Sequence, residues 1–123
     1  MGLKPRLTEK SIQNAYIELI DKSEHFIYIE NQFFVSSLAG SPVSNKIAEA
    51  LVRRIKRAIQ EEENDPSRRF KVCVVLPLLP GFEGGIEEKG SNVMRIQLSW
   101  EYSTINRGKN SIIESYFIWY YLT

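Results

Sequence analysis

Cysteine and histidine are scarce in this sequence, and their scarcity excludes several kinds of site. The 123 residues include one Cys and one His, too few to provide the ligands of a structural zinc site. We therefore expect the chain to hold no metal and no cofactor. Cys73 lies inside the apolar run VCVVL, which predicts a small core residue kept as a free thiol in a reducing compartment.

Long hydrophobic runs and an excess of one charge are also missing. No apolar stretch reaches the roughly 20 residues that a membrane-spanning helix needs, and the N-terminal segment lacks the apolar centre of a secretory signal. Sixteen Lys and Arg residues against fifteen Asp and Glu residues give a formal net charge of +1. This balance gives no reason to expect nucleic acid as a partner.

A helix followed by a short strand is predicted at the start of the chain. The apolar spacing predicts a helix over about 9–22, with Thr8 as its N-cap. The segment 25–29 is short and rich in β-branched and aromatic residues, which predicts a buried strand. We interpret His25 as a partly solvated residue at the start of that strand. The apolar positions of the helix are Ile12, Tyr16, Leu19 and Ile20.

A second, longer helix is predicted over about 45–62, followed by the stop sequence NDPS at 64–67. Glu49 and Arg53 stand four residues apart in the order that favours an ion pair. The basic run 53–57 precedes three glutamates, which favours a solvated helix face over a lipid-binding patch. The apolar stripe consists of Ile47, Ala48, Leu51, Val52, Ile55, Ala58 and Ile59.

A second strand, predicted over 70–76, should pair with the first in a parallel α/β arrangement. A strand, a helix and a strand at this spacing form a βαβ unit with a right-handed crossover. The nearly continuous apolar sequence predicts a sheet that is covered on both faces. Parallel strands end at the same edge of a sheet, so the loop 77–85 should lie beside the polar trio, which consists of Glu30, Asn31 and Gln32.

The last third of the chain is predicted less regularly. A helix should run from residue 91 or 92 to about 104, with a turn at 106–108. The tail SIIESYFIWYYLT is expected to start as a helix and to end as a strand. We therefore expect one helix and one short helix–strand segment after the βαβ unit.

The polar trio directly follows an apolar strand, and two interpretations fit that position. A Glu side chain can act as an acid, a base or an orienting group, and the amides of Asn and Gln can grip a phosphate, a carbonyl or a catalytic side chain. Alternatively, the three side chains bind backbone groups and fasten the loop that follows. The residue types alone leave both interpretations open.

Five motifs follow one another along the chain in a specific order. They are SIQNAY (11–16), HFIYIENQFF (25–34), NKIAEAL (45–51), VVLPLLPGFEG (74–84) and NRGKNSI (106–112). Together they closely resemble the eukaryotic phospholipase D family, and most of all its phosphatidylinositide-stimulated type from fungi and animals. The resemblance covers roughly residues 8–113, and the pairing of IENQFF with PLLPGFEG is its most specific part.

The resemblance implies an α/β lobe of an enzyme that hydrolyses phosphatidylcholine to phosphatidic acid and choline, or transfers the phosphatidyl group to an alcohol. In that family, each of two lobes supplies one His-x-Lys-x-x-x-x-Asp motif. One histidine forms a phosphohistidine, and the other protonates the leaving alcohol. By resemblance, the polar trio supports the substrate pocket. The implied cleft walls are Phe33, Phe34, Pro80, Gly81 and Phe82.

The His-x-Lys-x-x-x-x-Asp motif is absent here, because His25 is followed by Phe26 and Ile27. The 123 residues are therefore expected to form a single incomplete domain, the opening portion of the second catalytic lobe, with no catalytic residue and no activity alone. The implied partners are the other lobe, phosphatidylcholine and the membrane surface. The implied location of the whole enzyme is cytoplasmic, with peripheral membrane association.

Two alternatives stand beside that interpretation. The chain is a non-catalytic module that binds lipid or a partner lobe, as an exposed aromatic cluster in the tail would indicate. Alternatively, it is a truncated product that does not fold, because a two-strand piece leaves open strand edges. The tail aromatics are Tyr116, Phe117, Trp119, Tyr120 and Tyr121.

Overall fold

The described part of the chain contains three α-helices, two β-strands and one short helical segment, which confirms the predicted α/β class. The computed structural model describes residues 9–36, 43–77, 92–107 and 111–116. The short helical segment is 112–116, and the strand expected after it lies outside the described residues. In chain order the elements are α1 (Ser11–Lys22), β1 (Phe26–Glu30), α2 (Ile47–Asn64), β2 (Lys71–Val75) and α3 (Asn92–Ile105).

The two strands form a parallel pair with α2 between them in sequence, as predicted. The register runs from Phe26 opposite Lys71 to Glu30 opposite Val75. The pairing continues one residue past β1, because the Asn31 N–H donates a 3.2 Å hydrogen bond to the Val75 carbonyl. The first residue after β1 is therefore fixed at the carboxyl end of β2.

One face of the sheet packs against the helices and forms the core. Alternation along β1 directs Ile27 and Ile29 to this face, where they are 8% and 7% exposed. Leu51 of α2 is buried against them, and the neighbouring Ala50 has no side chain large enough to hold the helix away. The partly buried side chains at the edge of the core are Ile17, Ile47, Phe70, Val72, Val74, Leu76, Ile105 and Ile112.

The opposite face of the sheet is open in the described part of the chain, so the prediction of a sheet covered on both faces is wrong there. Phe26 is 67% exposed and Tyr28 is 56% exposed. Cys73 is also exposed, although its apolar neighbours predicted a core position. The reason is the two-residue period of a strand, which directs Cys73 away from the helices while Val72 and Val74 face them.

Helix α1 begins later than predicted and buries fewer apolar side chains. It starts at Ser11, whose N–H donates a 2.7 Å hydrogen bond to the Glu9 carboxylate; Thr8, the predicted cap, lies outside the described residues. Ile20 is buried as expected, but Ile12 and Leu19 are 75% and 72% exposed. The sequence pattern counted both among the apolar positions of the helix, and the helix turns its Ile20 side toward α2 and the sheet.

Helix α2 confirms its predicted position but not the predicted role of its arginines. Arg53 forms a bidentate pair with Asp21 of α1, at 2.7 Å between Nη2 and Oδ2, rather than the expected pair with Glu49. Arg54, which was predicted on a solvated face, is 1% exposed. The sequence alone could not place these guanidinium groups, because Asp21 and the Ser23 carbonyl, which they bind, belong to α1 and its C-terminal end.

Several groups surround the buried Arg54 side chain. Its Nε donates a 2.9 Å hydrogen bond to the Ser23 carbonyl at the end of α1, and Nη2 lies 3.3 Å from Oε2 of Glu61. The guanidinium carbon lies 3.9 Å from the centroid of the Phe70 ring. Burial lowers the pKa of Arg54, and the nearby Arg57 adds to this effect. Arg54 therefore ties α1, α2 and the start of β2 together.

Within the described ranges, no helix combines the length and the apolar character that crossing a membrane requires.

We expect Arg54→Ala to lower the free energy of unfolding by about 2–4 kcal/mol, because it removes the donor to the Ser23 carbonyl, leaves Glu61 paired with Arg57 alone and uncovers the Phe70 ring. The matched control is Arg53→Ala on the exposed side of the same helix, which should cost below about 1 kcal/mol. Urea denaturation followed by circular dichroism measures both. Equal losses in the two variants would contradict the structural role of Arg54.

Candidate functional site

The candidate site is built at the carboxyl end of β1. Glu30 is the last residue of the strand and lies on the open face, beside Tyr28 two residues earlier. The Tyr28 hydroxyl donates a 2.9 Å hydrogen bond to Oε2 of Glu30. This bond is the main reason that the pKa of Tyr28 is raised, and burial and the charge of Glu30 add to it. The Glu30 carboxylate is thereby oriented along the strand.

The other two members of the trio differ in exposure. Asn31 is half-buried and bonded through its backbone to Val75, whereas Gln32 is exposed. With Glu30 also exposed, two of the three polar side chains are accessible at this edge of the sheet. The trio therefore lies where parallel-sheet proteins place their binding groups.

The two phenylalanines that follow the trio have different surroundings. Phe33 is half-buried, while Phe34 is 5% exposed and belongs to the core cluster with Ile20, Ile29 and Leu51. Phe34 thus anchors the segment after β1 in the interior. Phe34 would have to leave the core to contact a ligand. Phe33, the other of the two rings, is partly accessible and can contact a ligand in its present position.

Helix α3 fastens the backbone of this segment with two buried side chains. The Phe34 N–H donates a 2.7 Å hydrogen bond to Oε1 of Glu101, and the Ser36 N–H donates a 3.1 Å hydrogen bond to Oγ1 of Thr104. Glu101 is 7% exposed and Thr104 is fully buried. The Thr104 hydroxyl in turn donates to the Trp100 carbonyl at 2.9 Å, so it acts as donor and acceptor at once.

The Ser36 side chain connects the same segment to the start of α2. Its hydroxyl donates a 2.7 Å hydrogen bond to Oδ1 of Asn45 and accepts a 2.8 Å hydrogen bond from the Ala48 N–H. The Asn45 amide donates to the Val35 carbonyl at 2.9 Å. The residue before α2, Lys46, makes no side-chain cap. Ser36 therefore satisfies an N-terminal amide of α2 that would otherwise be left unpaired.

The residues of this network were not predicted from the sequence. Ser36 precedes the predicted second helix, Asn45 lies at its predicted start, and Glu101 and Thr104 lie in the predicted third helix. A signal was present in α3, whose Met94, Glu101 and Thr104 are all buried and lie at helical spacing on one face. Polar residues at such positions indicate buried hydrogen bonds, and the loose periodicity concealed that signal.

An open groove of about 510 Å³ runs along the side of β1 that has no paired strand among the described residues, and it ends at the trio. Tyr16 and Leu19 of α1 form one side, Phe26 and Tyr28 form the other, and Glu30 and Asn31 lie at its end. The walls are mostly apolar and the end is polar, so the groove presents both a hydrophobic and a hydrogen-bonding surface.

The remaining predicted cleft residues, Pro80, Gly81 and Phe82, lie outside the described residues, so their expected place beside the trio stays a prediction. The structure describes the loop only as far as Pro77. The predicted meeting of the two loops is therefore visible only at its start, in the hydrogen bond between Asn31 and Val75. Among the described residues, no three His, Cys, Asp or Glu side chains converge on a point that could hold a metal ion.

Comparison with known proteins gives one consistent result. The sequence profile of the family described as Phospholipase D matches residues 2–114. The chain is 54% identical over 106 residues to Phospholipase D zeta 1 of Arabidopsis thaliana, a match that covers 85% of this chain and 9% of that protein. It is 45% identical over 113 residues to Phospholipase D1 of Saccharomyces cerevisiae, with 90% of this chain and 6% of that protein covered.

An animal relative matches in the same way. Over 105 residues, the chain is 45% identical to Phospholipase D1 of Homo sapiens, which covers 85% of this chain and 9% of that protein. Plant, fungal and animal proteins are thus all similar to this sequence. The chain spans less than a tenth of the length of each of these relatives.

We expect Glu30→Gln to lower the pKa of Tyr28 toward its ordinary value of about 10, since a neutral acceptor holds the phenol proton less strongly. A raised pKa means that this bond stabilises the folded chain below the ordinary pKa and ceases to do so as the pH rises through the folded pKa. Phenolate absorbance during an alkaline titration measures the change, with Tyr28→Phe as the control that identifies the Tyr28 transition. An unchanged Tyr28 pKa would show that Glu30 is oriented elsewhere.

Proposed function

The chain belongs to the phospholipase D family, and from this premise we propose that it is part of an enzyme that hydrolyses phosphatidylcholine to phosphatidic acid and choline. The extent of the match supports this, because the family profile covers residues 2–114. The whole enzyme would act in the cytoplasm at a membrane surface, where its substrate lies. The chain itself would be the opening portion of the second of two catalytic lobes.

The proposed chemistry uses histidines that this chain does not contain. A histidine nitrogen attacks phosphorus, the bond to the choline oxygen breaks, and a second histidine donates a proton to that oxygen. Water then attacks the phosphohistidine and releases phosphatidic acid. His25 is followed by Phe26 rather than by the x-Lys of the family motif, and it lies exposed at the opposite end of β1 from the trio. We therefore assign it no part in either step.

The proposed role of this chain is to support the pocket from the carboxyl end of β1. The observation that carries the proposal is the double attachment of the segment after β1, whose Asn31 and Phe34 amides are hydrogen-bonded to β2 and α3 respectively. A segment held in this way presents Glu30 and Gln32 in a fixed direction. A group that orients a catalytic histidine must itself be held in a fixed direction. Among the cleft walls, Phe33 would contact the lipid, and Phe34 would hold that wall to the core.

A chimera tests the proposal with this chain's own residues. We expect Phospholipase D zeta 1 of Arabidopsis thaliana to remain active on choline-labelled phosphatidylcholine when its matching segment is replaced by the 106 matched residues of this chain. The reason is that the catalytic histidines come from the relative, while the pocket support comes from the chain. The unmodified relative is the control, and a soluble, folded chimera that releases no choline would contradict the proposed function.

The isolated chain gives the complementary result. We expect no choline release above buffer from the purified 123-residue chain, since no His-x-Lys-x-x-x-x-Asp motif is present. Turnover that persists after repeated purification would overturn the assignment of catalysis to residues outside the chain.

A non-catalytic binding module is the second candidate function, and the open sheet face favours it. Phe26 and Tyr28 are exposed side by side there, and apolar patches of this kind mark interaction surfaces. If the isolated chain binds lipid through this face, it should float with phosphatidylcholine vesicles, and Phe26→Ser together with Tyr28→Ser should abolish flotation. Failure of the unsubstituted chain to float with neutral or anionic vesicles would remove the lipid-binding version.

A further inference from the structure

We propose that Glu101 is a positioning residue, which holds the backbone of Phe34 and thereby sets the direction in which Asn31 and Gln32 leave β1. The catalytic consequence rests on the proposed function. The mechanical part concerns only this chain, and the resemblance of the sequence motifs assigned no role to Glu101.

The segment after β1 is short and is fixed at two points. The Asn31 N–H is bonded to the Val75 carbonyl at 3.2 Å, and the Phe34 N–H is bonded to Oε1 of Glu101 at 2.7 Å. Only Gln32 and Phe33 lie between these amides. Because a two-residue span has few conformations when both of its ends are fixed, the path of Asn31 and Gln32 depends on both hydrogen bonds.

The hydrogen bond between the Phe34 N–H and Glu101 is buried. The Phe34 side chain is in the core, and Glu101 is 7% exposed. Water therefore has little access to replace the carboxylate as an acceptor, and a buried N–H without an acceptor is unfavourable. When the Glu101 side chain loses its oxygen atoms, the Phe34 amide can regain a partner only if the backbone moves toward solvent, and such movement would redirect Asn31 and Gln32.

Glu101 is far from the trio in the sequence. Phe34 and Glu101 are 67 positions apart in the sequence, so no local turn preference of the segment can substitute for this contact. Thr104, one turn later on α3, holds the Ser36 N–H in the same way. Two successive turns of α3 thus bind the amides of Phe34 and Ser36. This pattern is expected of a helix that supports the backbone of the segment after β1.

The proposal requires an acceptor oxygen rather than a negative charge, and this distinction makes it testable. Glu101→Gln keeps a side-chain oxygen at the same distance from α3, whereas Glu101→Met keeps the length and loses the acceptor. A purely space-filling role would favour Met, and a purely electrostatic role would make Gln and Met equally damaging.

The isolated 123-residue chain tests the mechanical part through amide hydrogen exchange. Glu101→Met should speed exchange of the Phe34 amide by about tenfold or more relative to the Ile29 amide of β1, and Glu101→Gln should change that ratio less than about threefold. Glu63→Met, at an exposed position near the end of α2, is the matched control and should leave the ratio unchanged. The proposal is overturned if Phe34 is no more affected than Ile29 in the Met variant, or if Gln and Met act alike.

The chimera tests the catalytic part. In the active chimera, Glu101→Met should lower kcat by about 10- to 100-fold, the cost expected of a misplaced reacting group, while KM for phosphatidylcholine vesicles changes less than about threefold. Glu101→Gln should restore most of the loss. An active chimera that is insensitive to Glu101→Met overturns this inference alone. An inactive unsubstituted chimera overturns the proposed function and its catalytic consequence, while hydrogen exchange still decides the mechanical part.

Discussion

The hydrogen bonds of the buried Ser36 residue form the junction on which the arrangement of β1, α2 and α3 depends. The Ser36 hydroxyl caps an amide near the start of α2, binds Asn45, and belongs to a residue whose own N–H is held by Thr104 of α3. A helix N-terminus needs acceptors for its free amides, and here the chain that leaves β1 supplies one of them. The end of β1, the start of α2 and one face of α3 are therefore fixed together.

This junction explains how a short sheet can present polar groups in a defined direction. Two strands alone give little rigidity, and the trio begins at the last residue pair of that sheet, Glu30 opposite Val75. The hydrogen bonds to Phe34 and Ser36 extend the ordered backbone beyond the sheet edge, and the Phe34 ring anchors it in the core. Arg54 performs a related task at the other end of the sheet, where it binds the end of α1 and covers Phe70.

The sequence predicted those features that depend on local pattern or on a general rule of connection. The order of helices and strands and the parallel pairing were predicted correctly, and α2 ends at Asn64, two residues after its predicted end, because periodicity, a Pro-containing stop and the βαβ rule decide these features. The burial of Arg54 and the exposure of Cys73 were missed, since each depends on which other element covers that side. Glu101 and Thr104 were missed because their partners are backbone amides almost seventy residues away.

The incorrect prediction of a sheet covered on both faces has the same cause as the incorrect predictions for Arg54 and Cys73. An apolar strand sequence predicts cover on both faces, yet Phe26 and Tyr28 are exposed in the described part of the chain. The sequence of a strand shows which of its two faces are apolar. It does not show which residues from elsewhere in the protein pack against those faces. The motif resemblance identified the family correctly, while the roles of individual side chains had to be sought in their contacts.

The backbone order parameters of residues 33–36, from nitrogen relaxation of the isolated chain, test the central claim most directly. If the junction fixes the exit of β1, the measurable amides of this segment should have values of about 0.8 or higher, similar to those within β1 itself. Values below about 0.6 across the segment, with β1 still rigid, would contradict the account, because the trio would then have no fixed direction.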